Sequence, residues 1–401
     1  MINSASNAVR SFRFDISEIS GSLADLGVML PLLVALITLN GVNATSAFFV
    51  VGLAYFINAF AYRLPVPVQP LKALAATALA LNLSPQVITA AAWWVAAIFL
   101  FLSLTGAVGW VAGFFPTAVV RGIQVGLGLL LLRSAWTLIT APSGNWAVVW
   151  SLEEISLPLP WVAAIGATLL LLFGLWLRQS WAGFLIILYG LLLGLSAFGF
   201  PQTNLVFTWP APVMPRVEDF WPALWLLVVP QIPLSLANSV FATADAARQY
   251  FGSPGAAAVS PRRLLLTMGL GNVAAATFGG VPVCHGSGGL TAHVRLGART
   301  GGAPIIIGTM FLLLGLLGGN SILSLLGLIP FSAMGVLLAY VGVQHLWLAA
   351  DLRGVQAWSV ALLVAFVAWV TQNLAWGFLS GLLLHYAWIG AKNLRLQTKR
   401  I

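Results

Sequence analysis

The sequence predicts an all-α integral membrane fold of seven plus seven transmembrane segments, with the second half inverted relative to the first. Three observations carry this expectation. The chain of 401 residues is 60% hydrophobic and 7% charged, with a mean hydropathy of +0.98, so hydrocarbon must surround most of it. Three sequences recur: VPVQPLKALAA from Val66 returns as VPVCHGSGGLTA from Val281, EISGSLADLG from Glu18 as QIPLSLANSV from Gln231, and FFPTAVVRGI as LIPFSAMGVL, which lays Pro116 over Pro330. Their offsets are 215, 213 and 214 positions in one order, which marks an internal duplication. Finally, the basic residues fall on alternate loops.

At about 20 residues per crossing, the length divides into twelve to fourteen segments, the lower count applying if the short ones are re-entrant. The apolar runs lie near residues 15–37, 44–62, 66–82, 87–113, 116–141, 159–177 and 180–198, and again near 220–248, 261–279, 282–297, 302–319, 326–349, 355–371 and 373–391. This organises the chain as a cytoplasmic N-terminus (1–14), a first repeat (15–205), a second repeat (206–391) and a cytoplasmic tail (392–401). An odd number of segments per half turns the second copy upside down.

Orientation follows from loop charge, because cytoplasmic loops retain Lys and Arg. Arg10, Arg13, Arg178, Arg248, Arg262, Arg263, Arg295, Arg299, Arg353, Lys392, Arg395, Lys399 and Arg400 all fall on one side if the N-terminus is inside. The opposite loops carry only Glu153, Glu154, Arg216, Glu218 and Asp219. Both termini are expected in the cytoplasm, the host being a cell (inner) membrane. The net charge of +9 is thereby explained by topology, since it is dispersed over membrane-proximal loops and forms no nucleic-acid face. Asp15 and Glu18 interrupt the first apolar run, so no cleavable signal is expected, and the single Cys284 excludes an internal disulfide.

Segments 3 and 10 are the unusual ones. Pro65, Pro67 and Pro70 cannot lie inside one helix, so VPV should be extended and Pro70 should open a helix running to about Leu83. At 1.5 Å per residue that helix is too short to cross the membrane and must start near its middle. Segment 10 repeats the form: an extended VPVC, then His285, Gly286, Ser287, Gly288 and Gly289 before a short helix. Irregular backbone at this depth survives only when buried or lining a wet cavity. Inversion aims the two half-helix N-termini at each other, and their free amides and partial positive charge make an anion site. Duplicated halves with interrupted helices in matching positions point to a transporter.

Lys72 lies one turn into the first half-helix; it either contacts the anion or neutralises Glu18 or Asp25. Ser287, its counterpart, is a ligand or a helix cap. Glu18 and Asp25 share one helix face, and Gln231, Asn238 and Asp245 repeat the spacing on segment 8. These carboxylates either carry a coupling proton or cation or cap freed backbone groups. Asp245 lies toward the cytoplasmic end, where solvent or an arginine would meet it. His285 lines the site or bonds backbone. Cys284, His285 and His293 are too few and off one face for a metal centre, and no cofactor or nucleophile–base pair is present.

The runs PVPVQPLK, VPVCHGSGGLTAHVRLGARTGGA and EISGSLADLG resemble the molybdate transporter family, a branch of the sulfate permease superfamily. The resemblance implies a core domain from the first four segments of each half, a gate domain from the rest, and substrate between segments 3 and 10. It places the signature regions at Gln69, Pro70, Leu71 and Lys72 and at His285, Gly286, Ser287, Gly288 and Gly289, with Glu18, Asp25, Gln231 and Asn238 as matching polar positions. Two departures stand out: Leu296 where an aromatic is expected, and only ten residues after the last segment, without the regulatory domain usual in sulfate permeases. The function implied is secondary active transport of a tetrahedral oxyanion, most of all molybdate, with sulfate, a nucleobase permease or an anion channel as alternatives. A homodimer is a further implication.

Overall fold

The computed structural model describes residues 12–23, 26–140, 146, 149–152, 155–177, 182–202, 206–318 and 321–398. Among the described residues, helices or half-helices fall in all fourteen expected segments. The first half comprises α1 (Ile16–Ser22), α2 (Leu26–Thr38), α3 (Ala44–Tyr62), β1 (Gln69–Pro70), α4 (Lys72–Ala80), α5 (Pro85–Thr105), α6 (Val108–Ala112), α7 (Thr117–Thr140), α8 (Leu159–Trp176) and α9 (Ala182–Phe198). A short hairpin that the hydropathy pattern did not signal, β2 (Val149–Leu152) with β3 (Ile155–Pro158), links α7 to α8. The second half comprises α10 (Val217–Ser253), α11 (Pro261–Phe278), β4 (Val283–Cys284), α12 (Ser287–Arg295), α13 (Gly302–Gly318), α14 (Ser321–Leu326), α15 (Phe331–Trp347), α16 (Val355–Thr371) and α17 (Leu374–Thr398).

Helix starts follow the expected chemistry. Asn43, Ser84 and Ser260 each accept a backbone N–H from the first turn of the helix they cap. Asp15 does the same for α1, and the Arg13 guanidinium hydrogen-bonded to it holds its carboxyl below the usual range. Pro116 and Pro330, paired by the repeat, directly precede α7 and α15.

The two halves interlock about a two-fold relation visible at its centre. β1 and β4 pair antiparallel with Gln69 opposite Cys284 and Pro70 opposite Val283. Gln69 and Cys284 are 215 positions apart, so each faces its own repeat counterpart, as a two-fold axis between them requires. Neighbouring pairs obey the same relation: α3 packs on α13, and α5 on α11. A second group forms from α7, α8, α9, α15, α16 and α17, with α7 and α15 crossing at its centre. Both central crossings use glycine. A Cβ on Gly52 would lie 2.9 Å from the Gly308 carbonyl oxygen, and one on Gly128 would lie 2.7 Å from that of Gly342. Lipid gives helices little hydrophobic reason to associate, so this backbone-to-backbone approach supplies the packing.

The extended strands at membrane depth need partners for their backbone groups, and two asparagines supply them. Asn272 of α11 accepts from the Val283 amide at 3.0 Å and donates to its carbonyl at 2.7 Å. Asn58 of α3 donates to the Val66 and Pro67 carbonyls at 3.4 and 3.3 Å. The two are 214 positions apart, a fourth instance of the repeat.

The first half-helix departs from expectation. It starts at Lys72, not Pro70, because the Pro70 backbone belongs to the β1–β4 ladder and the Leu71 amide donates to the Pro282 carbonyl at 3.0 Å. Nine residues long, it spans only about 14 Å.

Candidate anion site

Lys72 is the first residue of α4 and Ser287 the first of α12, and the repeat makes them equivalent. The preceding caps, Leu71 and Gly286, offer no side-chain acceptor, so the first-turn amides must find partners elsewhere. On α4, the Leu74 amide donates to Gln231 Oε1 at 3.0 Å, while Gln231 Nε2 donates to Ser235 Oγ at 2.9 Å. The repeat partner of this cap would be Glu18 on the Gly289 amide. Glu18 is committed elsewhere: its buried carboxylate accepts from the Arg299 and Thr300 amides, each at 2.9 Å, and from the Ala303 amide at 3.2 Å, closing the start of α13. The broken symmetry leaves the Gly289 amide, like those of Ser287 and Gly288, without an acceptor among the described residues. That open turn carries the positive end of the α12 dipole.

In front of it lies a cavity of about 260 Å³, lined by Lys72, Gln124, Gln231, Asn238, Cys284, Ser287, Gly288, Gln344 and His345, among others. Lys72 makes no ion pair among the described residues. Ser287 Oγ donates to Asn238 Oδ1 at 3.1 Å. A Cβ built on Gly288 meets nothing within 4 Å, so the α12 backbone is open to close approach. Pro230 and Pro233 remove amide donors from α10, and π-helical turns flank them at Ala223–Val228 and Ser235–Ala242. Such turns shift helix phase and gather at functional sites; here they lie beside Gln231 and Asn238.

The cavity continues into a vestibule of about 350 Å³ that shares Gln124, Asn238, Ser287 and Leu348 and opens past Phe115 and Arg121. Arg121 Nε donates to Asp351 Oδ1 at 2.9 Å and its Nη1 to Gln124 Oε1 at 2.9 Å. At the opposite end of α7 a separate cavity of about 380 Å³ holds Arg133, Thr137 and Gln372 and shares no lining residue with the central one.

Five residues singled out by sequence therefore line one cavity: Lys72, Gln231, Asn238, Ser287 and Gly288. Gln69, Pro70 and Leu71 stand behind it, buried in and beside the ladder. Gly286 lies under Gln69, whose Oε1 would be 2.5 Å from a Cβ there, and Gly289 is buried. His285 is turned away from the cavity: Nδ1 donates to the Pro67 carbonyl at 3.0 Å, and Nε2 meets the Thr267 hydroxyl at 2.8 Å. It ties β1 to α11. Glu18 caps α13, which excludes it as the partner of Lys72. Asp245 is exposed and pairs with Arg248 at 3.5 Å, because the π-helical turns upstream rotate it off the Gln231–Asn238 face. Asp25 lies outside the described residues. Sequence reasoning missed Gln124, Gln344 and His345, whose signal was a polar residue in the apolar stretches of α7 and α15.

Residues 17–131 and 223–344 match the profile of a family described as "Molybdate transporter of MFS superfamily". The chain belongs to the molybdate transporter family. The matched stretches are the first five segments of each half, and they contain every residue named above as lining the central cavity except His345 and Leu348, which lie just beyond. Among curated members, molybdate transporter 2 of Arabidopsis thaliana is 29% identical over 92% of this chain and 86% of its own length. Molybdate transporter 1 of Chlamydomonas reinhardtii is 27% identical over 91% and 90%. Among solved structures, the transmembrane domain of the cyanobacterial bicarbonate transporter BicA superposes with a TM-score of 0.66 at 14% identity, covering 92% of this chain and 98% of that one. The murine anion transporter Slc26a9 gives 0.65 at 14% identity, covering 94% and 69%. The chain's fold is thus of the sulfate-permease type. It differs from the major facilitator architecture, whose six-segment halves each contain inverted repeats of three.

Proposed function

We propose that this protein is a secondary active transporter of a tetrahedral oxyanion, molybdate in the first place, held between Lys72 and the first turn of α12 and moved by alternating access. The observation that carries the reading is the uncapped α12 terminus facing Lys72 across one cavity. A dianion there would receive hydrogen bonds from the Ser287, Gly288 and Gly289 amides and a full positive charge from Lys72. Gln124, Gln231 and Asn238 offer uncharged amides that suit the remaining oxygens.

The α7–α9 and α15–α17 group supplies the opposite wall through Gln124, Gln344 and His345. Movement of the half-helix bundle against that wall would carry the anion from the Arg121 vestibule to the Arg133 cavity. With the basic loops in the cytoplasm, the open vestibule is the cytoplasmic one and this conformation is inward-facing. No enzymatic step is proposed.

The test is uptake of labelled molybdate into proteoliposomes with sulfate and uracil as competitors, comparing wild type with Lys72→Ala. Saturable uptake blocked by oxyanions but not by uracil, and lost in Lys72→Ala, supports the proposal. Uptake competed by uracil alone, or undiminished in Lys72→Ala, overturns it.

A further inference from the structure

Resting on that reading, we propose that His345 is the proton-carrying residue of the anion site, so that the oxyanion and a proton occupy the cavity together. His345 lies on α15, in the wall opposite the half-helices, and lines the same cavity as Lys72. Its Nδ1 is 2.8 Å from the carbonyl oxygen of Val341 on the preceding turn. A carbonyl can only accept, so Nδ1 carries the hydrogen and its tautomer is fixed. The free lone pair of the neutral ring is then on Nε2, which makes no hydrogen bond among the described residues.

That fixed tautomer gives two distinct states. Neutral His345 shows an oxyanion a lone pair, which repels it. Once water delivers a proton to Nε2, the imidazolium shows it an N–H donor and a positive charge. Anion and proton therefore favour each other's binding by the same factor.

The surrounding charges tie the proton to the anion, because the Lys72 ammonium in the same cavity repels an imidazolium until a dianion lies beside both. Lys72 on α4 shares the cavity; Gln124 on α7, Gln231 and Asn238 on α10 and Gln344 on α15 are uncharged; Cys284 on β4 contributes a thiol. Arg121 and Asp351 pair with each other farther out in the vestibule. Glu18 is spent on three backbone amides and Asp245 on Arg248 at the surface, so among the described residues no carboxylate lines the cavity. The charges also balance: a dianion, the Lys72 ammonium and the His345 imidazolium sum to zero, whereas the empty site with neutral His345 keeps a single positive charge.

The experiment compares wild type, His345→Gln and Lys72→Ala, reading molybdate binding to purified protein at pH 6 and pH 8 and lumenal pH by a trapped dye during uptake. Wild type should bind about tenfold more tightly at pH 6 than at pH 8 and acidify the lumen as molybdate enters. His345→Gln, which keeps a polar side chain of similar reach, should bind equally at both pH values and give no dye response. A His345→Gln protein with the wild-type pH dependence and dye signal overturns the proposal, as does wild-type uptake without proton movement. Neither result touches the oxyanion site itself, whose failure would show instead as Lys72→Ala binding molybdate like wild type at both pH values.

Discussion

Replacing Gly288 with alanine separates stability from transport at the point where the account is most specific. The added methyl meets no protein atom within 4 Å, so it creates no clash. Alanine also loses less backbone freedom on folding than glycine, by roughly 0.5–1 kcal/mol in a helix. The folded protein should thus melt at the same temperature or slightly higher. The same methyl projects into the cavity where the α12 amides await an anion. Screening one charge-assisted hydrogen bond costs roughly 1.5–3 kcal/mol, which weakens binding about ten- to hundredfold. Thermal unfolding in detergent and molybdate uptake in proteoliposomes read the two effects. Gly286→Ala is the contrast, since its methyl would press within 2.5 Å of Gln69 Oε1 and should lower stability. Wild-type uptake by Gly288→Ala would refute the open-turn argument, and so would a destabilised protein.

Other consequences follow from the placement of the acidic residues. Glu18→Ala orphans three backbone amides at the start of α13 and should cost roughly 2–3 kcal/mol of stability, seen as a lower melting temperature; Glu18→Gln, which still accepts, should lose less. Asp245→Asn removes only an exposed ion pair with Arg248, worth at most about 1 kcal/mol, and should leave molybdate uptake and its pH dependence at wild-type values.

The sequence made the architecture legible because hydropathy and repetition are both one-dimensional signals. Segment boundaries near 44–62, 261–279 and 355–371 fall within about two residues of α3, α11 and α16. The half-helices were legible from proline, which removes amide donors wherever it stands. Helix rotation was not, because it depends on packing partners distant in sequence. The seven-residue spacing of Gln231, Asn238 and Asp245 implies one face only while the helix keeps 3.6 residues per turn; the π-helical turn over Ser235–Ala242 breaks that phase and sends Asp245 to the surface. Glu18 takes the second of the two roles open to it, capping backbone, at a place that symmetry does not give. Gln231, its repeat partner, caps a half-helix, whereas Glu18 meets three amides near the start of α13 that the repeat gave no cause to expect. His345 was not legible because a single polar residue near the end of the apolar stretch of α15 has no partner at a fixed spacing to mark its face.

The most direct test of the central claim is to locate bound molybdenum by its anomalous scattering in crystals of the protein grown with molybdate. A single strong peak is expected in the central cavity, between the Lys72 ammonium and the amides of Ser287, Gly288 and Gly289. A peak in the separate cavity beside Arg133 with the central one empty would contradict the claim.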